Sequence, residues 1–386
     1  MLTIQKVRHS ATLTSRRRQF PRFGPCVFAL TLCLLLPLFY RSTATDSAAA
    51  QLPIAETLAW VSRSSQDLKQ FDYDMTIRIR LLFFWISKDD VGGGYIRRGV
   101  AKDDSRLELF QVLFGSDPAK CPKQINRWGA GTEAEWHASP LLPAAGASVP
   151  SDVSASAFFG FMKSSKGKSV SEMQAELKKE KDQGEHAFIG ILSRVEPGHT
   201  FSLVVPLNSD QDFDLNQYGA AEPLMLDKLR TSEKPPKTLA DSAHCPRSGE
   251  FLGTLAELLD AAVNSAAPQS GGISSAPPEA KSLCYVHDAQ VNTLTLAHVE
   301  PVKSLQAKIN SAKGGLLADN TFNNLLQLDF VTTHQLTGKK VYFTLVVGTQ
   351  GQLRAVPVQI RYQPNWWFQV VLNLQPTTSH LTTATN

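Results

Sequence analysis

Apolar and polar residues alternate with a period of two in the first third of the chain, a pattern typical of half-buried strands. The alternation runs from Tyr73 to Trp85, residues 89–94 are rich in Asp and Gly, and a return strand begins at Tyr95. Because such turn residues tolerate positive φ, the pattern predicts a long β-hairpin. The segment 81–86 is apolar on both faces, so we expect this end of the strand to be covered on both sides or to border something apolar.

The C-terminal region repeats this alternation four times. The predicted strands lie at 326–330, 341–347, 356–362 and 366–374. Turn sequences separate them, so the pattern predicts an antiparallel meander with one buried face and one wetter face. Pro357 indicates an edge or a bulge near the third of these strands, because proline cannot donate a ladder hydrogen bond.

Apolar residues at helical spacing mark three further segments. Segment 54–68 is predicted to be a short amphipathic helix, and segment 251–263 a more apolar one. Segment 169–184 begins with a capping-box pair and ends at a glycine, which predicts a largely exposed helix. A hairpin is predicted over 188–205, where two apolar runs flank a Pro-Gly turn.

These elements predict an α+β, β-rich fold in which long antiparallel strands form a curved sheet or partial barrel, with a few packing helices and an irregular central insertion. We expect the first hairpin and the meander to form one body, and two separate domains are the alternative. The predicted boundaries are 1–44 for a signal peptide or N-terminal membrane anchor, 51–140 for the helix and long hairpin, 141–264 for a mixed insertion with two helices, 265–280 for a flexible linker, 281–376 for the meander and 377–386 for a disordered tail.

The N-terminal segment has the pattern of a targeting signal. Arginines at 16–18 precede an apolar run at 26–36, and small residues follow at 42–50, as in a secretory signal peptide. An uncleaved membrane anchor is the alternative. The run is shorter than the roughly 20 apolar residues that a spanning helix prefers, and Pro37 follows it. The sequence therefore predicts an exported protein that is periplasmic, extracellular or anchored facing outward.

The targeting segment decides the sign of the net charge, which is +4 for the whole chain. Residues 1–44 hold seven Lys or Arg and no Asp or Glu, so 32 of the 39 basic residues remain against 35 acidic ones, a net charge of −3. Nucleic acid is therefore not expected as a partner, because nucleic-acid binding depends on concentrated positive charge.

Two of the five cysteines, Cys26 and Cys33, lie in the targeting segment. Cys121 and Cys245 occupy similar Cys-Pro contexts in polar stretches, whereas Cys284 begins an apolar alternating segment. If one disulfide forms, these contexts favour Cys121 with Cys245. The alternative is three unpaired cysteines, with Cys284 as a small core residue.

No sequence motif indicates a catalytic residue, a metal ligand or a cofactor. Eight histidines lie beyond residue 44, and no two of them are three to five residues apart; there is also no C-x-x-C and no G-x-S-x-G pattern. Ser165 and Lys168 match S-x-x-K, but they lie in a polar stretch that is typical of a solvated loop. An enzyme is therefore not favoured, although residues distant in sequence can converge in a fold.

Aromatic and cationic residues are the candidate ligand contacts. Arg78, Arg80 and Trp85 lie on the first long strand, and Trp366 and Trp367 begin the last one. Two consecutive tryptophans on a strand face both sides of a sheet, so one of them could line an apolar ligand site or contact lipid. The arginines could reach a ligand carboxylate or phosphate. Core and edge packing is the simpler interpretation of the same residues.

The sequence thus predicts an exported cell-envelope protein, non-catalytic, that binds a lipid or other apolar or amphipathic ligand, or an envelope protein. A structural or assembly protein of the envelope is the alternative, and a hydrolase with a site built from distant residues is a weaker one. Membrane contact is expected only through the N-terminal segment, if that segment is not cleaved.

Overall fold

The computed structural model describes residues 47–81, 84–117, 120, 127–138, 153–164, 186–196, 199–209, 226, 229, 237–239, 249–266, 281–287, 290–306 and 321–375. The helices in this part of the chain are α1 (Ser47–Val61) and α2 (Phe251–Ala266). The strands are β1 (Ser65–Leu81), β2 (Phe84–Lys88), β3 (Gly92–Ala101), β4 (Leu107–Ser116), β5 (Arg127–Ala138), β6 (Ser154–Ser164), β7 (His186–Glu196), β8 (His199–Ser209), β9 (Lys237–Leu239), β10 (Lys281–His287), β11 (Gln290–Gln306), β12 (Thr321–His334), β13 (Lys340–Gly348), β14 (Pro357–Asn365) and β15 (Phe368–Leu374).

These strands form one antiparallel sheet that curls into a nearly closed barrel. Their order is β10-β11-β12-β13-β14-β15-β1-β3-β4-β5-β6-β7-β8-β9, and β2 pairs with β1 beside this path. Strand β10 stands at an edge of the sheet, yet His287 at its end lies 3.9 Å from Glu133 in β5, the tenth strand along. The predicted α+β fold with a curved sheet or partial barrel is confirmed.

The two faces of the sheet bury different helices. Strand β4 shows the division, because Val112 and Phe114 belong to the core that contains α2, whereas Leu109 and Leu113 belong to the core that contains α1. Helix α2 packs against β5, β10 and β11, and α1 packs against β5, β6 and β7. The core around α2 draws side chains from β1, β4 and β10–β15, so α2 lies inside the barrel and α1 outside it.

The first hairpin differs from its prediction in its boundaries. The prediction of a single strand from Tyr73 to Trp85 is wrong. Strand β1 begins at Ser65 and ends at Leu81, and Trp85 belongs to β2, which pairs antiparallel with β1. Helix α1 ends at Val61, so residues 65–68, predicted as helix, begin the strand instead. Segment 81–86 was expected to be covered on both sides or to border something apolar. It is not covered on both sides, since Phe84 and Ile86 in β2 are about half exposed.

The C-terminal meander is confirmed as β12 to β15, and a register shift separates Val346 from Val347, which pairs with Pro357. The placement of Trp366 and Trp367 on two faces of the last strand is wrong. They form the turn before β15, where Trp366 is exposed and Trp367 packs on Phe368 with ring centroids 5.5 Å apart. Because both tryptophans lie in the tight turn between β14 and β15, their side chains do not alternate between the two faces of the sheet.

The segment 141–264, expected to be an irregular insertion, contributes β6, β7 and β8 to the same sheet. Strands β7 and β8 are the hairpin predicted over 188–205, and α2 is the helix predicted at 251–263. The helix predicted at 169–184, the linker 265–280 beyond Ala266, the tail 377–386 and the targeting segment 1–44 lie outside the described residues. Within the described ranges, neither helix has the length and apolar character needed to cross a bilayer.

Candidate functional site

Strand β5 carries three ionisable side chains on one face. Glu133, Glu135 and His137 alternate with Ala134 and Trp136, and side chains two residues apart on a strand point to the same side. Ala134 and Trp136 belong to the core of α1 on the outer face. The two glutamates and His137 therefore point into the barrel, toward α2.

The N-terminus of α2 supplies the next acidic side chain. Gly249 forms a parallel bridge with Tyr285 of β10, and its carbonyl oxygen accepts a hydrogen bond of 3.0 Å from the amide of Val286. This pairing holds Glu250, the residue before α2, beside the end of β10. His287, the last residue of β10, thereby comes to the same place in the barrel.

Glu135 caps α2 from the neighbouring strand. Its carboxylate accepts hydrogen bonds from the amides of Leu252 at 2.6 Å and Gly253 at 3.3 Å, which are among the first helix amides and lack partners within the helix. The positive end of the helix dipole favours a carboxylate at this position. Nε2 of His137 also lies against Oε1 of Glu135. Through its two hydrogen bonds to the helix amides, Glu135 joins β5 to the start of α2.

Gly253 lets the ring of His137 approach the helix. A Cβ atom at this position would lie 2.0 Å from Cε1, 2.1 Å from Nε2 and 2.5 Å from Nδ1 of His137. Any larger residue would therefore displace the imidazole from Glu135. The close approach fixes the position of α2 relative to β5.

Three side chains converge beside this capped helix end. One ligand atom from each of Glu133, Glu250 and His287 lies within 4.8 Å of the other two, and all three residues are buried. Ser156 of β6 donates a hydrogen bond to Oε2 of Glu250. The other oxygen of Glu250 and Oε1 of Glu133 have no hydrogen-bond partner among the described residues, although buried polar atoms are nearly always satisfied. We call Glu133, Glu250 and His287 the convergent triad.

Burial shapes the charge of the triad. It raises the pKa of Glu133 to about 8, with the neighbouring charge of Glu135 as the second cause. It also raises the pKa of Glu250 well above the ordinary range of a carboxyl group, and the charges of Glu135 and Glu133 add to this effect while the hydrogen bond from Ser156 opposes it. Without a bound cation, burial therefore favours the protonated forms of Glu133 and Glu250.

The triad has the donor set of a transition-metal site. Two carboxylates and an imidazole are ligands of Zn²⁺, and metal–ligand bonds of about 2.1 Å place tetrahedral ligands ~3.4 Å apart. The distance from Nδ1 of His287 to Oε1 of Glu133 is 3.9 Å, and the three ligand atoms lie within 4.8 Å of one another, so the side chains would move closer together on binding an ion. A cation would also supply the missing partners of Oε1 in both glutamates, so the residues fit such an ion.

The ligand contacts predicted from sequence lie elsewhere, at the end of β1. The guanidinium of Arg78 lies 5.7 Å from the ring centroid of Trp85 and donates to Oε1 of Gln369 at 3.1 Å. The amide of Arg80 donates to the carbonyl of Trp367 at 2.7 Å. These residues thus lie near one another where β1 pairs with β2 and β15, and Trp366 lies in the adjacent turn. The contacts above join these strands, and none of them is with the triad.

Sequence reasoning missed the triad because it looked for metal ligands at helical spacing. The residues of β5 are two apart, the spacing that places side chains on one face of a strand, and the pattern of Glu133, Glu135 and His137 between Ala134 and Trp136 was a readable signal. No signal connected this strand with Glu250 and His287. The sequence led us to expect no metal ligand, and that expectation stays a prediction.

Cys284 in β10 is disulfide-bonded, so its interpretation as an unpaired core residue is wrong. Cys121 and Cys245 lie outside the described residues, and their predicted pairing stays a prediction.

No protein-family model matches the chain, and no curated protein sequence matches it. Among solved structures, the chain is similar to a crystal structure from Brucella abortus described as a beta-barrel-like protein of a domain of unknown function, DUF1849. The sequence identity is 10%, the TM-score is 0.41, and the alignment covers 80% of this chain and 95% of that chain.

Proposed function

We propose that this protein is a non-catalytic binding protein that holds one divalent transition-metal ion inside its barrel, with Glu133, Glu250 and His287 as ligands. The observation that carries the proposal is the convergence of these three side chains within 4.8 Å, where one oxygen of each glutamate lacks a hydrogen-bond partner within the described part of the chain. An imidazole ligand favours Zn²⁺ or a similar ion over Mg²⁺ or Ca²⁺, which prefer oxygen ligands alone.

The surroundings support a bound ion in preference to an empty acidic cluster. Burying charged carboxylates without partners is costly, and a divalent cation would compensate both carboxylates of the triad at once. Glu135 and His137 hold the helix that carries Glu250, and Ser156 orients one of its oxygens. Such fixed outer contacts orient metal ligands in known sites.

Export of the protein is part of the same proposal. The secretory pattern of residues 1–44 and the disulfide bond of Cys284 support it, because disulfides persist in oxidising compartments outside the cytosol. Native mass spectrometry of the protein purified from its own envelope fraction would report the mature mass and the bound ion together. A mass shortened at the N-terminus with one metal ion per chain is expected.

Metal titration tests the triad directly. The purified protein is stripped with a chelator, and Zn²⁺, Mn²⁺ and Mg²⁺ are added in isothermal calorimetry and thermal unfolding. We expect one Zn²⁺ per chain and a higher Tm with Zn²⁺ than without it. His287→Ala and Glu250→Gln should each weaken Zn²⁺ binding by about a hundredfold, since a ligand contributes at least as much as its outer contacts. Circular dichroism confirms that the variants fold.

His298→Ala is the matched control, because His298 is 60% exposed and pairs only loosely with Glu300, at 4.0 Å. It should bind Zn²⁺ as the unmodified protein does. If no transition metal binds at micromolar concentration, or if His298→Ala loses as much affinity as His287→Ala, the triad is a protonated structural network and the proposal fails.

A further inference from the structure

Large apolar side chains are exposed mainly at one end of the barrel. Among the described residues, six such side chains are exposed, and they are Leu68, Phe84, Ile86, Leu336, Tyr342 and Trp366. Trp366 is 67% exposed and Leu336 is 87% exposed. Isolated exposed apolar residues are normal on a soluble protein, so their shared location is the informative feature.

Strand pairing places five of the six at the same end. Ile79 near the end of β1 pairs with Phe368 at the start of β15 on one side and with Ile86 on the other. In an antiparallel meander, alternate turns lie at the same end, so the turn 335–339 lies on the side of the turn 366–367. Leu68, near the start of β1, lies at the opposite end.

Exposed cations accompany the apolar side chains. Arg80, Lys88, Lys339 and Lys340 are exposed at this end. Two carboxylates follow β2: Asp89 accepts a hydrogen bond of 2.7 Å from Thr76 and keeps its charge, whereas Asp90 pairs with Lys120 at 3.1 Å. The four cations outnumber the charge of Asp89, so the described residues at this end of the barrel carry a net positive charge. We call Phe84, Ile86, Leu336, Tyr342 and Trp366, with these four cations, the apolar-basic rim.

We propose that the apolar-basic rim docks on the surface of an anionic lipid bilayer. Tryptophan and tyrosine prefer the boundary between headgroups and acyl chains, and lysine and arginine near an anionic surface each strengthen binding about fivefold. The rim presents both kinds of side chain in turns and near strand ends. The apolar side chains would enter only the interfacial layer.

This contact is separate from the metal site and does not depend on it. It also differs from the membrane contact expected through the N-terminal segment, because it uses the folded barrel. The positive charge of the rim favours an anionic bilayer over a second copy of the chain as the surface that covers it. A second copy of the chain would place like charges opposite each other, whereas an anionic bilayer neutralises them.

Sedimentation with lipid vesicles tests the proposal. The full chain is mixed with vesicles of phosphatidylcholine containing about one third phosphatidylglycerol, and separately with phosphatidylcholine alone. We expect binding to the anionic vesicles, release at high salt and little binding to the neutral ones. Trp366→Ser should lower the partition coefficient about tenfold, and the double substitution Lys339→Gln with Lys340→Gln should lower it about 25-fold, because each lysine strengthens binding about fivefold. Brominated lipid should quench tryptophan fluorescence less in Trp366→Phe.

Leu68→Ser is the matched control, since it removes an exposed leucine at the opposite end and should bind vesicles normally. All variants carry the same N-terminal segment, so its contribution is common to them. The proposal is overturned if the rim variants and Leu68→Ser bind equally, or if neutral vesicles bind as well as anionic ones. A dimer in solution that Trp366→Ser dissociates, without vesicle binding, would identify a second copy as the occupant instead.

Discussion

Nδ1 of His287 lies 3.9 Å from Oε1 of Glu133, although the two residues stand on the first and the last of ten consecutive strands in the sheet. The distance measures how far the sheet curls. Helix α2 fills the space between the strands, since it packs on β5, β10 and β11. Side chains from the two strands and the helix end therefore meet in a buried place that no single element creates.

Removal of the carboxylate that caps α2 should destabilise the barrel. Glu135→Ala leaves the amides of Leu252 and Gly253 without their acceptor. We expect the free energy of unfolding to fall by about 2–4 kcal/mol, because buried donors lose their partner and the helix dipole loses its counter-charge. Urea denaturation measures the change. Glu300→Ala, at an exposed glutamate, should change the stability by less than about 0.5 kcal/mol. Equal effects of the two substitutions would show that Glu135 does not cap the helix.

The contact between Gly253 and His137 can be tested with a double-mutant cycle. Gly253→Ala places a methyl group within 2.5 Å of the ring atoms of His137 and should destabilise the protein by about 1–3 kcal/mol. In a His137→Ala background the clash disappears, and alanine should then be neutral or better than glycine by up to about 1 kcal/mol, because its helix propensity is higher. Thermal unfolding of the four proteins gives the coupling. Purely additive effects would contradict the contact.

A buried hydroxyl joins β1 to β14 across β15. The hydroxyl of Tyr73 donates to the carbonyl oxygen of Pro357 at 2.6 Å. Tyr73→Phe keeps the ring and removes the donor, so the free energy of unfolding should fall by about 1–2 kcal/mol. Tyr342→Phe, at an exposed tyrosine, should have almost no effect in the same denaturation experiment. A neutral Tyr73→Phe would mean that the carbonyl finds another donor.

The stability of the metal-free protein should decrease as the pH rises. The pKa of Glu133 is raised to about 8 in the folded state, against about 4.3 in an unfolded chain. The folded state therefore binds more protons between these values, and stability is lost as the pH rises through this window. Glu135, Glu250 and His287 face the same carboxyl group.

Urea denaturation of chelator-treated protein from pH 5 to pH 9 measures this dependence. Glu133→Gln keeps the shape of the side chain and should reduce the slope, whereas Glu300→Gln should leave it unchanged. Stability that stays constant with pH, or an unchanged slope in Glu133→Gln, would show that the carboxyl group is not protonated in the folded protein.

Much of the fold was readable from the sequence because alternation is a local property. The four strands of the meander, the hairpin β7–β8 and helix α2 all lie where their patterns predicted them. One error occurred where a turn interrupts an apolar run, at Trp366 and Trp367, since apolar residues in a turn continue the strand pattern without belonging to the strand. Another occurred at residues 65–68, which were predicted as helix and begin β1.

The sequence by itself determined which side chains share a face of each strand, including Glu133, Glu135 and His137, because the side-chain period of a strand is fixed by its backbone. Only the tertiary structure decided that this face meets Glu250 and His287. Sheet curvature, the edges that approach each other and the helix that fills the barrel depend on packing between distant segments, and these do not appear in local periodicity. The convergent triad is a consequence of that packing.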